Sequence, residues 1–281
     1  MKICVGVMVK DECDIVREWI LYYGSIFGFE NLYIIDNYST DGTYEICLEF
    51  QKKGIKLRRE KDYKLKGNFM TQFKNTLKYD FFLPIDIDEF IVLYDNEIKE
   101  PTSIIDYFKE LKNKKKNQII FKMNYINPLR TNNQDYIFNQ FTHGNISNYN
   151  QYAKSFLQNI KNNICIDHGN HIPDKDYFMS NLYLVHYHQR TNEQFKKKIT
   201  NNVSGLGYKL DKSYLKNEIK KNKDCPGNHH VKNVIKMCEE PNKSFTPTIA
   251  NLNNLKDSIN LEKLINFIRK LKLYKKIEII S

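Results

Sequence analysis

The sequence predicts an α/β fold built around a mostly parallel sheet, for two reasons. First, β-rich apolar runs alternate with stretches of helical spacing through residues 1–125, and such alternation is typical of βαβ units with parallel strands. Second, the chain has 281 residues, of which 41% are hydrophobic. That is enough for one large α/β domain or one domain with an appended subdomain.

The first two elements are a strand over 2–9 and a helix over 14–28. The strand is the β-rich apolar run KICVGVMV, and in the helix Trp19 and other apolar residues recur at helical spacing. Gly28 follows the last of them and is placed to end the helix. Trp19 is therefore expected in the core.

The next five elements repeat this order. The apolar run NLYIID predicts a second strand over 31–36, and helical spacing predicts a helix over 43–54. A weaker run, IKLRRE, predicts a third strand over 55–60. A helix over 68–79 then precedes the fourth strand, FFLPIDIDEFIVL, over 81–93.

The alternation ends soon afterwards. A helix over 102–112 and a strand over 117–126 continue it, but residues 127–180 are polar, rich in Asn and Tyr, and loop-like, with a hairpin as one interpretation. Strand character returns over 181–189. From 191 onward the spacing is helical, which predicts a helical C-terminal appendage.

Composition limits the classes of partner. The net charge of +11 suits an anionic partner, but the lysines form no single stripe, so nucleic acid is not expected. No apolar run is long enough for a transmembrane helix, and Lys10 interrupts the N-terminal run too early for a signal peptide. The six cysteines include no CxxC pair, which favours free thiols. We expect a cytoplasmic protein.

The fourth strand carries an unusual pair of aspartates. The phosphate-binding motifs GxGxxG and GxxxxGK[ST] are absent, so a bound nucleotide needs another partner for its charge. Asp86 and Asp88 form a D-x-D pair that can hold Mg²⁺ or Mn²⁺. In a continuous strand their side chains share one face, and Glu89 points the other way.

Three ordered segments resemble the GT-A glycosyltransferases, specifically the family 2 and family 92-like group. They are VKDECDIVREWILYYGSIFGFENLYIIDNYSTDGT (9–43), PIDIDEFI (84–91) and LVHYHQRTNEQFKKKI (184–199). The resemblance covers residues 1–200 and implies a GT-A catalytic domain over that range. Its nucleotide-sugar-binding half is then 1–126 and its acceptor half 127–200. Residues 201–281 are expected to form a helical region packed on this domain.

The resemblance also implies a binding site for the nucleoside of the donor. Asp36, at the end of the second strand, is expected to contact the nucleobase. Lys10, Glu12 and Asn37 are expected nearby.

Further residues are assigned to the phosphates and the metal by the same resemblance. Gln72 and Asn75, on the helix before the D-x-D strand, are expected to face the donor. Asp86 would face the ribose and the metal, and Asp88 would ligate the metal that bridges both phosphates. Lys154 resembles a lysine that meets the diphosphate.

Histidines supply the remaining metal-ligand candidates. His186 and His188 share a face if they lie in one strand, and imidazole is a good ligand for Mn²⁺-like ions. We favour these two as further metal ligands, with His168 or His171 as alternatives. The pair His229–His230 is instead expected in a solvent-facing turn.

The catalytic base stays open among several carboxylates. Transfer with inversion needs a group that takes the proton of the acceptor hydroxyl. The candidates are Asp88, Glu89, Asp167 and Asp174. Asp167 adjoins His168 in the acceptor half, and Glu89 lies beside the expected metal.

The sequence therefore predicts a metal-dependent glycosyltransferase. It would move a sugar from a nucleoside-diphosphate sugar, UDP-linked by preference, to a glycan, lipid-linked sugar or protein acceptor, with inversion. The alternatives are a metal-dependent phosphohydrolase that uses the same aspartates, and an inactive GT-A scaffold. The lysine-rich C-terminal helix over 261–274 either packs on the domain or makes a peripheral membrane contact.

Overall fold

The structure is a computed structural model that describes residues 1–147, 153–160, 162–172, 176–221, 227–251 and 255–278. Within these residues the strands are β1 (Ile3–Val9), β2 (Leu32–Asp36), β3 (Lys56–Arg59), β4 (Phe81–Pro84), β5 (Glu89–Asp95), β6 (Glu97–Ile98), β7 (Ile120–Leu129), β8 (His143–Ser147), β9 (Lys154–Gln158), β10 (Tyr177–His186) and β11 (Ile259–Asn260). The helices are α1 (Val16–Phe27), α2 (Thr43–Gln51), α3 (Lys66–Thr76), α4 (Ser103–Lys114), α5 (Ile137–Gln140), α6 (Asn192–Gly205), α7 (Lys212–Lys221), α8 (Asn228–Glu239) and α9 (Glu262–Glu278).

The strands form one sheet in the order β3-β2-β1-β4-β9-β7-β10-β5-β6, with β8 beside β7 and β11 beside β8. The first four strands in this order, β3, β2, β1 and β4, pair in parallel. Beyond β4 the sheet continues with antiparallel pairs and one further parallel pair, β7 with β10. The α/β class and the parallel strands flanked by helices are confirmed.

Helices cover both faces of the parallel strands. On one face α1, α2 and α4 contribute Trp19, Phe50 and Phe108 to the main apolar cluster. On the other face α3 contributes Met70 and Phe73 to a second cluster. Every residue of β1 is buried between these layers, as expected for a central strand of a parallel sheet. Trp19 lies in the core as predicted.

The prediction of one continuous fourth strand over 81–93 is wrong. The chain leaves β4 at Pro84 and re-enters the sheet as β5 at Glu89, which pairs with β10 instead of β1. Proline donates no ladder hydrogen bond, and the Glu89 N–H closes a turn onto the Asp86 carbonyl at 3.1 Å. Asp86 and Asp88 therefore lie in a turn, and strand alternation does not set their direction.

Residues 127–180 hold more regular structure than their polar composition predicts. β7 runs on to Leu129 and pairs antiparallel with β8, which agrees with the hairpin interpretation. β9 then fills the gap between β4 and β7. This strand is buried throughout and carries Lys154, so it is central to both the sheet and the cavity described below.

The C-terminal helices belong to two apolar clusters. α6, α7 and α8 form a small cluster of their own around Ile199, Leu215 and Val231. α9 instead adds Leu264 and Ile268 to the main cluster. The proposed division at residue 200 stays a prediction; α6 spans that residue.

Candidate active site

A cavity of about 840 Å³ lies beside the carboxyl ends of β1, β4 and β10. Ligands of open α/β sheets bind at this edge. Its charged and imidazole-bearing lining consists of Lys10, Glu12, Lys64, Lys66, Asp86, Asp88, Glu89, Lys154, Lys198, His168, His171, His186, His188, His229 and His230. A lining so rich in charge suits a polar, charged ligand.

Asp86 is the centre of a hydrogen-bonded cluster in the turn after β4. Its carboxylate accepts from Lys66 Nζ at 2.6 Å, Lys154 Nζ at 2.7 Å and Asn170 Nδ2 at 3.0 Å. Burial alone would raise the pKa of the Asp86 carboxyl, but the two ammonium groups outweigh burial and lower it. Asp86 is therefore an ionised carboxylate held between lysines.

Asp88 faces two imidazoles from the end of β10. Its Oδ2 atom is 3.2 Å from His186 Nε2 and 4.0 Å from His188 Nδ1. One ligand atom from each of these three residues lies within 4.8 Å of the others. Lys198 Nζ also donates to Asp88 Oδ2. β10 ends at His186, so the two histidines meet at Asp88 without sharing a strand face.

The donor set of this group fits a divalent cation. Metal ligands must be deprotonated, and burial lowers the pKa of His188 well below its usual value. Burial would raise the pKa of the Asp88 carboxyl, but Lys198 and His186 lower it well below the usual range. One carboxylate oxygen with two imidazole nitrogens suits a Mn²⁺-like ion. Asp86 is not part of this group, and its role as a ligand stays a prediction.

Glu89 points into the cavity, and the expectation that it points away is wrong. Its Oε1 atom accepts from Tyr125 Oη at 3.2 Å and is 3.2 Å from Lys154 Nζ, while Oε2 accepts from the Asp86 N–H at 2.8 Å. The turn after Pro84 causes this change of direction. Burial would lower the pKa of Lys154, but Asp86 and Glu89 raise it well above its usual value, so this lysine stays charged.

Lys10 and Glu12, beyond the end of β1, also line the cavity. Lys10 Nζ donates to the Tyr38 carbonyl at 2.6 Å. The Glu12 carboxylate is buried and accepts from Arg190 and from Gln194 Nε2 at 3.0 Å. Glu12 thus holds the segment after β10 against the loop after β1.

Four residues assigned to the donor lie outside the lining. The Asp36 carboxylate is fully buried and accepts from Arg59 Nε at 2.8 Å. Asn37 Nδ2 donates to the Glu60 carbonyl at 2.7 Å. Gln72, like Asn75, is exposed on α3. Their contacts to a donor stay predictions.

The HGNH segment, residues 168–171, lies at the cavity, whereas Asp167 just before it lies at the surface. His168 and His171 line the cavity, and the His168 ring lies edge-on to Tyr63 at 4.6 Å between centroids. Asp167 is exposed, outside the lining, and accepts from the His171 N–H at 2.7 Å. Asp174 lies outside the described residues.

Several residues that line the cavity were not predicted from the sequence to do so. Lys66 and Lys198 gave no signal, because a lysine in a lysine-rich chain is unremarkable until its partner is known. The turn predicted for His229 and His230 is wrong, because both lie in the first turn of α8 and line the cavity. The His229 side chain is exposed as predicted, whereas that of His230 is half-buried. Burial and the neighbouring His229 lower the pKa of His230 to about 3.

Comparison with solved structures finds distant similarities. Residues 1–349 of TarS from S. aureus are 12% identical, with 86% of this chain and 73% of that chain covered and a TM-score of 0.44. In a longer TarS structure only 44% of that chain is covered, at 13% identity and a TM-score of 0.39. Glucosyl-3-phosphoglycerate synthase from Mycobacterium tuberculosis, in complex with Mn²⁺, UDP and glucosyl-3-phosphoglycerate, is 15% identical over 44% of each chain, with a TM-score of 0.32.

Comparison at the level of sequence is decisive for the family. No curated protein matches the chain. The family model of glycosyltransferase family 92, however, matches residues 1–224, which include all three segments that carry the resemblance and most of the cavity lining. The chain therefore belongs to glycosyltransferase family 92.

Proposed function

We propose that this glycosyltransferase is metal-dependent and takes its sugar from a nucleoside-diphosphate sugar, UDP-linked by preference. The acceptor is a glycan, a lipid-linked sugar or a protein, and transfer proceeds with inversion. The observation that carries the proposal is the convergence of Asp88, His186 and His188 on a cavity that also contains Asp86 and Lys154.

Asp88, His186 and His188 would hold the divalent cation. Mn²⁺ or Mg²⁺ bound there would offset the charge of the diphosphate as the sugar leaves. Lys154 is charged and buried beside Asp86. In a site with little water, a fixed ammonium group stabilises negative charge that develops on a leaving group.

Glu89 is the base that we propose among the sequence candidates. It lines the cavity, whereas Asp167 does not, and a base must come within hydrogen-bonding reach of the acceptor hydroxyl. Lys10 and Glu12 are proposed to bind the nucleoside part of the donor. Asp36 would join them only if Arg59 gives up its contact with Oδ2.

A thermal-shift panel tests the donor and the metal together. UDP, GDP, CMP and ADP are each added with and without Mn²⁺, to the wild type and to Asp88→Ala. At about a hundred times its dissociation constant a ligand stabilises the fold by about 2.7 kcal/mol, a readable shift. We expect UDP to stabilise the wild type only with Mn²⁺, and Asp88→Ala to remove the effect.

Other outcomes would support one of the two alternative functions. If no nucleotide stabilises the wild type in either condition, the metal-site proposal fails and a scaffold role becomes the better hypothesis. Release of phosphate from p-nitrophenyl phosphate would favour the phosphohydrolase alternative. Such enzymes commonly use two metal ions, and the described residues contain one three-ligand group.

The location of the protein stays a prediction. In the described part of the chain, no helix combines the length and apolar character needed to cross a membrane.

A further inference from the structure

Lys198 lies within the proposed metal site, although the proposed function assigns it no role. It projects from α6, and its ammonium group donates to Asp88 Oδ2. The same oxygen is 3.2 Å from His186 Nε2 and 4.0 Å from His188 Nδ1. Asp88 Oδ2 thus contacts both Lys198 and the two histidines that would hold a cation with it.

Lys198 and a divalent cation would repel each other at this oxygen. An ion of the size of Mg²⁺ lies about 2.1 Å from its oxygen ligands, so an ammonium group bound to the same oxygen would be about 4 Å from the ion. The Lys198 side chain is 14% exposed and the Asp88 side chain 1% exposed. Water therefore screens this repulsion weakly, and the two cations compete for Asp88.

Lys198 differs in this respect from the two buried lysines of the cavity, Lys66 and Lys154. Lys66 and Lys154 are held by Asp86, which is outside the three-ligand group. They keep their partner when a cation binds Asp88, whereas Lys198 loses its partner. The lysine stem is flexible, and Lys198 lines the cavity, so its released ammonium group stays within the space that a diphosphate would enter.

We propose that Lys198 is an exchangeable counter-ion: it neutralises Asp88 until a divalent cation takes that carboxylate, and its ammonium group then binds the diphosphate of the donor. This inference rests on the proposed metal site and donor. It makes the binding of cation and nucleotide depend on each other through one side chain, because the cation frees the group that the nucleotide uses.

The test is the substitution Lys198→Met, with two binding measurements. Mn²⁺ affinity is measured without nucleotide, from the electron paramagnetic resonance signal of free Mn²⁺. UDP affinity is measured by calorimetry at saturating Mn²⁺. We expect Mn²⁺ to bind about tenfold more tightly and UDP about tenfold more weakly, within the usual range of coupling between sites. General damage to the site would weaken both.

Two further variants separate charge from packing. Lys198→Gln keeps a hydrogen-bond donor for Asp88 without the charge, so it should give the same pair of changes even if Lys198→Met folds poorly. Lys197→Met is the matched control. Lys197 is the adjacent lysine on α6, but its ammonium group pairs with Asp41 at 3.0 Å, so both affinities should stay at the wild-type values.

The outcomes distinguish this inference from the function on which it rests. Unchanged or weaker Mn²⁺ binding in both Lys198 variants overturns the exchange, as does unchanged UDP binding. If Asp88→Ala abolishes Mn²⁺ binding while the Lys198 variants bind like the wild type, the metal site stands and only the exchange fails. If the wild type and the Lys198 variants all bind no Mn²⁺, both fail.

Discussion

The carboxylates of Asp86, Asp88 and Glu89 have different sets of partners, although they are near neighbours in the chain and Asp86 and Glu89 share Lys154. Asp86 is held by lysines, Asp88 by imidazoles and Lys198, and Glu89 by Tyr125, Lys154 and a backbone N–H. Unpaired buried charges are costly, and these contacts compensate each of the three. Different partners give the carboxylates different chemistry, so their substitutions should have different effects.

At the scale of single residues, we predict that Glu89→Gln lowers the rate of sugar transfer. The amide keeps the size of the side chain but cannot take a proton, so we expect sugar transfer to fall by about a hundredfold or more. Stabilisation by UDP with Mn²⁺ should persist, because Glu89 is outside the three-ligand group. Transfer is measured with a labelled donor. Activity within a few-fold of the wild type would exclude Glu89 as the base.

At the scale of elements, polar contacts attach α6 to the loops after β1 and before α2. Gln194 Nε2 donates to the Asp11 carbonyl at 2.9 Å, and Asn201 Nδ2 donates to Asp11 Oδ2 at 2.9 Å. Lys197 Nζ donates to Asp41 Oδ2 at 3.0 Å. The apolar side chains of α6 pack instead with α7 and α8. The helix that carries Lys198 is therefore held to these loops largely through charged and amide groups, and the contacts that involve the carboxylates depend on pH.

We predict that the contribution of Asp41 to the stability of the fold is lost at low pH. Burial would raise the pKa of the Asp41 carboxyl, but hydrogen bonds from Thr43 and Lys197 lower it to about 2. A folded-state pKa below the unfolded value contributes stability above about pH 4, and this contribution is lost as the pH falls from about 4 to about 2. Asp41→Asn should therefore lower the free energy of unfolding by about 2 kcal/mol at pH 7.

Urea unfolding at several pH values measures this difference. The gap between Asp41→Asn and the wild type should close as the pH falls toward 2. Asp106→Asn is the control, because that side chain is 76% exposed and surface substitutions change stability by about 0.5 kcal/mol or less. A gap of constant size across the pH range would contradict the assignment to the ionised carboxylate.

At the scale of the whole molecule, the C-terminal helix α9 is part of the main core. It packs on α1, and Leu261, Leu264, Ile265 and Ile268 are buried in the cluster that contains Trp19. Strand β11, just before it, pairs with β8 at the edge of the sheet. The chain therefore folds its last described segment against its first helix, and stability depends on both.

Ile268→Ala tests this dependence. Ile268 is 1% exposed, and truncating a buried isoleucine to alanine costs about 2–5 kcal/mol. We expect a loss in that range by urea unfolding, with Lys270→Ala, an exposed position on the same helix, close to the wild type. A loss below about 0.5 kcal/mol for Ile268→Ala would mean that α9 does not contribute to the core.

Periodicity in the sequence predicts the elements whose environment is uniform. β1 is buried throughout, and α1 is buried on most sides, so their patterns identify them directly. The run 81–93 misleads because its apolar residues belong to two strands in different parts of the sheet. Apolar character reports burial, and it does not report which neighbour a residue is buried against.

The sequence by itself determined the α/β class and the family resemblance, and it named Asp86, Asp88, Lys154, His186 and His188 as site candidates, which all line the cavity. Only the tertiary structure decided how these residues pair. Residues far apart in the chain meet there: Lys198 is 110 positions from the carboxylate it neutralises, and Lys154 is 68 from its own. Such pairings depend on the order of strands in the sheet, and no local pattern of residues encodes that order.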